Sequence, residues 1–333
     1  MKAIAFNAPG DPSVLQVQEW PQPKIQTSTE LLVRLKAAGV NPIDTKLRSR
    51  GTFHPEQMPA ILGCDGAGIV EAIGDEVQRF QVGDEVYFCD GGIGAQPGNY
   101  AQFTTIDERF VAPKPVSLSF AEAAAAPLVL ITAWEALYDR AQLGSNQQVL
   151  IQAGAGGVGH VAIQLAKLRG ARVCTTVSTE AKAALVQELG AETVIFYPQA
   201  DVVEVALAWS SGEGVDVGFD TVGGATFYQT IEAVKPYGDV VTLLEPGPEG
   251  NWKTARQRNH RISYELMLTP MLQGLATAQQ HQAQILADCS RLFDAGQLQI
   301  HLSQTFPLTE AAAAHQLLQT GSMSGKISLV IEA

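Results

Sequence analysis

Glycines 154, 156 and 159 stand in G-x-G-x-x-G register, directly after the apolar run Val149-Leu150-Ile151. The residues that follow carry apolar side chains at Val158, Val161, Ala162 and Leu165, a helical spacing. A strand, a glycine turn and a helix in that order form a phosphate cradle. Gly154 is suited to the tight turn, Gly156 to close approach of a pyrophosphate, and Gly159 to close packing of helix on sheet. The helix N-terminus adds unpaired N–H groups and the positive end of its dipole. The chemistry expected of Gly154, Gly156, Gly157, Val158 and Gly159 is therefore dinucleotide binding.

Ser178 closes the next apolar strand, about 20 residues beyond the loop, where an acid would bind a free ribose 2′-hydroxyl. Serine is not an acid. Lys182 lies one helical turn further on and on the same face. A hydroxyl, a cation and a helix N-terminus suit a 2′-phosphate, so NADPH is the expected cofactor. Glu180 lies between them, and the same residues also fit a capped helix with a surface lysine. The six histidines show no metal-ligand spacing, and Cys64, Cys89, Cys174 and Cys289 have no C-x-x-C pattern. Most of the four are expected to be buried, reduced thiols.

These residues need a scaffold, and 333 residues suffice for two domains. Up to about Pro115 the sequence runs in short alternating segments such as Leu31–Lys36, Ala67–Gly74, Asp84–Phe88 and Tyr100–Phe103, a pattern that predicts a largely antiparallel barrel. Ser119 and Glu122 form a capping box that opens an Ala-rich helix. From Val149 onward apolar strands alternate with helices, which predicts a parallel doubly wound sheet. Residues 245–261 are expected to be a loop, with a strand near Ile262–Leu268. Net charge of −12 argues against nucleic acid as a partner. The apolar stretch Ala123–Ala133 contains Pro127 and is too short to span a bilayer, and no signal-peptide pattern is present, so a cytoplasmic protein is expected.

Several blocks resemble the zinc-free quinone oxidoreductases, the zeta-crystallin-like branch of the medium-chain dehydrogenase/reductase superfamily. They are Ala38-Gly39-Val40-Asn41-Pro42-Ile43-Asp44-Thr45, Gly63-Cys64-Asp65-Gly66-Ala67-Gly68, Val82-Gly83-Asp84-Glu85-Val86, Ile131-Thr132-Ala133-Trp134, the glycine loop, Phe219-Asp220-Thr221-Val222-Gly223-Gly224 and Gly325-Lys326-Ile327. The resemblance implies an α/β protein in which a Rossmann domain (126–270) is inserted into a GroES-like, mainly antiparallel barrel domain (1–125 and 271–333). It places the active site in the cleft, and it implies a homodimer joined at cofactor-domain sheet edges.

By the same resemblance Thr132, Tyr197, Thr221, Gly223, Leu244 and Lys326 join the cofactor-binding set, and Asn41, Asp44 and Lys46 form the catalytic set. An amide beside a carboxylate suits ribose hydroxyls and water near the hydride donor, although Asn41-Pro42 also reads as a turn. Lys46 departs from the tyrosine common in the branch; it either favours an anionic or carbonyl-bearing substrate or is a solvated charge. Zinc-dependent relatives carry a cysteine near Asn41 and a His-Glu pair at Cys64-Asp65, so no metal site is expected, with Asp65 and Gly66 serving a turn. The implied activity is zinc-independent hydride transfer from NADPH to a quinone or other conjugated carbonyl. A 2-alkenal or enone double-bond reductase is the near alternative, and an NADPH-binding structural or regulatory protein with little turnover the alternative of another class.

Overall fold

Alternation of side chains governs the first strands of the chain. β1 (Lys2–Phe6) pairs antiparallel with β2 (Gln16–Glu19), and β3 (Glu30–Val40) alternates buried with half-buried residues before becoming wholly buried from Ala37 to Val40. α1 (Pro42–Arg50) follows at once, with Pro42 in its first turn, where a missing N–H costs nothing. Then come β4 (Ala60–Ile61), β5 (Asp65–Ile73), β6 (Glu85–Cys89), β7 (Phe103–Asp107), β8 (Ala112–Pro113) and α2 (Phe120–Ala125). The Ser119–Glu122 capping box opens α2 as the sequence predicts.

After α3 (Pro127–Trp134) the pattern changes to strand and helix in turn: β9 (Gln148–Ile151), α4 (Gly159–Leu168), β10 (Arg172–Val177), α5 (Glu180–Glu188), β11 (Thr193–Phe196), α6 (Val202–Trp209), β12 (Val215–Asp220), α7 (Ala225–Ala233), β13 (Val234–Thr242), α8 (Lys253–Gln257) and β14 (Arg261–Tyr264). The chain ends with α9 (Thr269–Gln273), α10 (Ala276–Asp294), β15 (Leu302–Pro307), α11 (Ala311–Gln319) and β16 (Lys326–Val330).

In this computed structural model, which describes residues 1–248 and 250–332, the chain divides into two units. Met1–Leu128 with Leu268–Ala333 make the first, and Val129–Met267 the second. Sheet order in the first is β15-β16-β3-β5-β6-β8, with β7 also on β3, plus a small sheet β2-β1-β4. Every pairing in it is antiparallel except β15 with β16. The second unit holds six parallel strands in the order β11-β10-β9-β12-β13-β14. Counted within the unit that is 3-2-1-4-5-6, the Rossmann arrangement. Its core is Leu150, Cys174, Val215, Phe227, Ile231 and Val240 with their neighbours.

Three local expectations are corrected. Tyr100 is not in a strand; β7 begins at Phe103, and only Ala101 makes an isolated bridge. Asp65 opens β5 instead of a turn, because its backbone pairs with Cys89. Residues 245–261 include α8 and the start of β14; residues 249 and 333 lie outside the described residues. All four cysteines are buried and unbridged. Among the described residues no helix is long and apolar enough to cross a membrane.

Asn99 is the hub of the loop connections in the first unit. Its buried Nδ2 donates to the carbonyls of Gly63 (3.0 Å), Cys64 (3.0 Å) and Asp90 (2.9 Å). Asn99→Asp would turn an acceptor, at neutral pH a charged one, toward three carbonyl oxygens. A loss of about 3 kcal/mol or more is expected, or roughly 6–12 °C in Tm. Thermal unfolding of the variant within about 2 °C of the parent would refute this role.

Candidate active site

In the second unit the expected cofactor residues collect at one edge of the sheet. Tyr197 follows β11, Ser178 follows β10, the glycine loop follows β9, Thr221 and Gly223 follow β12, and Leu244 follows β13. All lie at carboxyl ends of parallel strands, where open α/β sheets bind ligands. Thr132 follows no strand of the sheet and is buried within α3.

The loop's geometry explains its glycines, and not entirely as the sequence suggested. Ala153, not Gly154, takes the left-handed turn, with φ of 51°. Gly154 is required by packing: a Cβ there would lie 2.1 Å from Thr175 Oγ1. At Gly159 a Cβ would lie 2.4 Å from the Ala153 carbonyl oxygen, and at Gly156 it would come within 3.1 Å of the same atom. Packing thus requires glycine at 154 and 159 and leaves little room for a side chain at 156, so the backbone there stays bare, as phosphate approach to N–H groups requires.

At the expected adenine end, Thr179 caps α5 by accepting from the Lys182 N–H (3.3 Å). Ser178 and Lys182 are half-buried, and Tyr197 is exposed. Asp220 braces the β12 end: its carboxylate accepts from the N–H groups of Val222 and Gly223 and from Thr242 Oγ1 (2.8 Å). Thr221 Oγ1 donates to the Gln152 carbonyl (2.8 Å). The donor set, the side-chain-free cradle and the braced strand ends fit a dinucleotide.

Lys326 belongs to the first unit, where the β16–β3 register sets Ile327 against Val40 and so puts Lys326 beside Asn41. The Lys326 ammonium is buried and donates to Val40 O (3.1 Å) and to Asn41 Oδ1. Asn41 Nδ2 donates in turn to Asp65 Oδ2 (2.8 Å), and Asp65 Oδ1 accepts from the Leu128 N–H (2.9 Å). Asn41 precedes α1, and its own N–H donates to Asp44 Oδ2 (2.8 Å). The same oxygen accepts from Tyr100 OH (3.1 Å), which lies 3.1 Å from His315 Nε2. With the phenol proton given to Asp44, His315 must donate from Nε2. Lys46 stands exposed on the same helix.

Sequence reasoning missed Asp65, Tyr100 and His315 as members of this cluster. One trace was visible: His315 interrupts the apolar run Ala311–Leu318. Among the described residues, no group of three or more His, Cys, Asp or Glu is arranged to hold a metal.

Burial sets the charges. It pushes the Asp44 carboxyl up to about 7, opposed by the Asn41 N–H and helped by the nearby Asp65. The Asp65 carboxyl is also raised by burial, and Lys326 and Asn41 hold it back. Burial lowers the Lys326 ammonium, against the pull of Asp65 and Asp44. Burial takes His315 down to about 3, so the imidazole is neutral. With Asp44 protonated, the Asp65 anion and the Lys326 cation close at zero net charge, the inexpensive state for a buried cluster.

Two family models match the chain: the alcohol dehydrogenase GroES-like domain over residues 27–116, and a zinc-binding dehydrogenase model over residues 189–329. The chain is 33% identical to a quinone oxidoreductase of Pseudomonas aeruginosa, covering 99% of each. It is 31% identical to a zinc-type alcohol dehydrogenase-like protein of Staphylococcus aureus, over 99% of this chain and 100% of that one. Among solved structures, an alcohol dehydrogenase superfamily protein from Novosphingobium aromaticivorans matches with a TM-score of 0.92 at 35% identity, covering 100% of each chain. Escherichia coli quinone oxidoreductase complexed with NADPH matches at 0.86 and 30% identity, covering 99% of this chain and 100% of that one.

The buried acid makes stability depend on pH in a stated direction. The folded state keeps the Asp44 proton up to about pH 7, whereas the unfolded chain loses it near 3.8. Unfolding between those values releases a proton, so this group's contribution is full below about pH 4 and is lost as pH rises through 7. His315 acts oppositely, since its folded value is depressed: its contribution is present above about 6.5 and lost as pH falls toward 3. Asp44→Asn keeps an oxygen for the Asn41 N–H and removes the titration. Its stability relative to the parent should therefore climb between pH 4 and 7 by something on the order of 4 kcal/mol. Urea unfolding at intervals of one pH unit tests this. A difference that stays constant with pH would mean that Asp44 does not titrate in this way.

Proposed function

We propose, from the premise that this chain belongs to the medium-chain dehydrogenase/reductase superfamily and is an oxidoreductase, that it uses NADPH to reduce quinones or other conjugated carbonyl compounds without zinc. The observation that carries the zinc-free reading is the state of Asn41. Its amide is held at both ends, by the Lys326 ammonium at Oδ1 and by Asp65 at Nδ2. A divalent cation at this place would have to displace an internal cation and would find an amide, a poor zinc ligand. Without a Lewis acid to polarise an isolated carbonyl, a simple ketone or alcohol suits the site less well than a conjugated acceptor.

Bound NADPH would supply the hydride. The glycine loop would hold its pyrophosphate on backbone N–H groups, with Thr221, Gly223 and Leu244 along the edge toward β13 and Tyr197 beside the adenosine. Thr132 stays in the proposed cofactor set from family resemblance alone. Ser178 and Lys182 would read the 2′-phosphate through a hydroxyl and a charge-assisted hydrogen bond. On the barrel side Asn41 would orient the reactants, Lys326 would polarise its amide, and Asp44 would position it through the helix start. Lys46, exposed on α1, is assigned to acceptors bearing a carbonyl or acidic group. Quinone reduction requires little acid catalysis from the protein, because the product takes protons from solvent.

The test is consumption of NADPH and NADH against a panel of quinones, alkenals and alcohols, with zinc content measured in the same preparation. Expected are turnover with conjugated acceptors, indifference to chelators, and a preference for NADPH of about tenfold to a hundredfold. Lys182→Ala should remove most of that preference and leave NADH binding unchanged. Zinc-dependent alcohol oxidation would overturn the assignment, and equal affinity for the two cofactors in the parent would remove Ser178 and Lys182 from it.

A further inference from the structure

Beneath the phosphate loop runs a chain of buried polar side chains that the proposed activity does not use directly. Gln152, the last residue before the left-handed Ala153, interrupts an otherwise apolar strand end and is 2% exposed. Its Nε2 donates to Thr230 Oγ1 on α7 (3.0 Å), and its Oε1 accepts from Thr176 Oγ1 on β10 (2.9 Å). Thr176 Oγ1 accepts from the Ala153 N–H (2.8 Å). Thr230 Oγ1 gives its own proton to the Thr226 carbonyl (2.8 Å), so the three hydroxyl and amide groups are mutually satisfied. Thr176 and Thr230 are buried as well.

The chain ends on the residue that sets the loop. Ala153 holds a left-handed conformation that a non-glycine residue disfavours, and its carbonyl accepts from the Gly156 N–H (2.9 Å). That same carbonyl oxygen limits the space at Gly156 and Gly159. We infer that Thr176, locked in orientation by Gln152, is a positioning residue that holds the Ala153 peptide in the phosphate-binding conformation without touching the cofactor. Without the hydroxyl, the Ala153 N–H loses its acceptor, and the backbone strain is opposed only by the flanking bonds from the Gly154 N–H to the Thr176 carbonyl (3.1 Å) and from the Gly156 N–H to the Ala153 carbonyl (2.9 Å). The loop then populates relaxed conformations, and phosphate binding must first reverse that shift, which weakens apparent affinity by the fraction of competent loop. Once the cofactor is bound the loop is restored, so turnover at saturation is spared.

This inference rests on the proposed binding of NADPH to the glycine loop, so the first measurement is NADPH affinity of the parent by calorimetry. Failure to bind there would sink the proposed function itself. Given binding, Thr176→Val, which keeps shape and deletes both hydrogen bonds, should raise Kd for NADPH roughly tenfold and KM alike, with kcat at saturation within about twofold. Thr176→Ser, which keeps the hydroxyl, should restore affinity. Ala153→Gly removes the strain that the hydroxyl offsets. In that background Thr176→Val should therefore cost much less than in the parent, a coupling that a general packing defect would not produce. The glycine background also serves if Thr176→Val alone fails to fold, with both Ala153→Gly and the double variant then binding within about threefold of each other. Parent-like affinity in Thr176→Val, failure of the serine to rescue, or an undiminished cost in the Ala153→Gly background would each overturn the inference.

Discussion

The buried charges where β3 meets α1 depend on one amide held between opposite charges. Asn41 takes the Lys326 ammonium at its oxygen and the Asp65 carboxylate at its nitrogen, and its N–H fixes Asp44. Each of the three ionisable partners would be costly to bury alone. Together they satisfy one another, and the neutral form of Asp44 leaves the cluster without excess charge. The position of α1 follows from this, since Asn41 is where β3 ends and the helix begins.

The dinucleotide unit obeys a different constraint. Its glycine loop turns on an alanine in a glycine-like conformation, and the Ala153 carbonyl limits the space at Gly156 and Gly159 while Thr175 limits it at Gly154. Hydrogen bonds from neighbouring strands hold that peptide in place, while Asp220 braces the next strand end through backbone N–H groups. The carboxyl edge of this sheet is thus stiffened by side chains of the neighbouring strands.

Much of this was legible in the sequence where the signal is local. Period-two alternation marked the barrel strands, apolar runs between amphipathic helices marked the parallel sheet, and glycine spacing marked the cradle. What escaped depends on register. Asp65 looks like a turn residue beside glycines, and only the pairing of β5 with β6 reveals a buried carboxylate. Tyr100 and His315 are 215 positions apart and meet only because the C-terminal segment returns to the barrel. The left-handed residue was assigned to Gly154 because glycine is the usual occupant of such turns; packing against Thr175 took that glycine for another purpose. The bonds of Lys326 to Val40 and Asn41 likewise follow from the register of β16 on β3, which no local pattern announces.

The return of β16 to the side of β3 also sets an order of events during synthesis. The Rossmann unit is continuous, from Val129 to Met267, and its sheet can close as soon as that stretch has left the ribosome. The barrel sheet cannot be completed so early, because one side of β3 stays open until Lys326–Val330 arrives beside Ala37–Val40. At about 5–20 residues per second, several seconds of translation separate the two moments. Through that interval Asn41 and Asp65 await their cation, and the Ala37–Val40 end of β3 lacks its β16 partner. A nascent chain of this protein therefore exposes that end of β3 until β16 is made, and that is where a chaperone would find it.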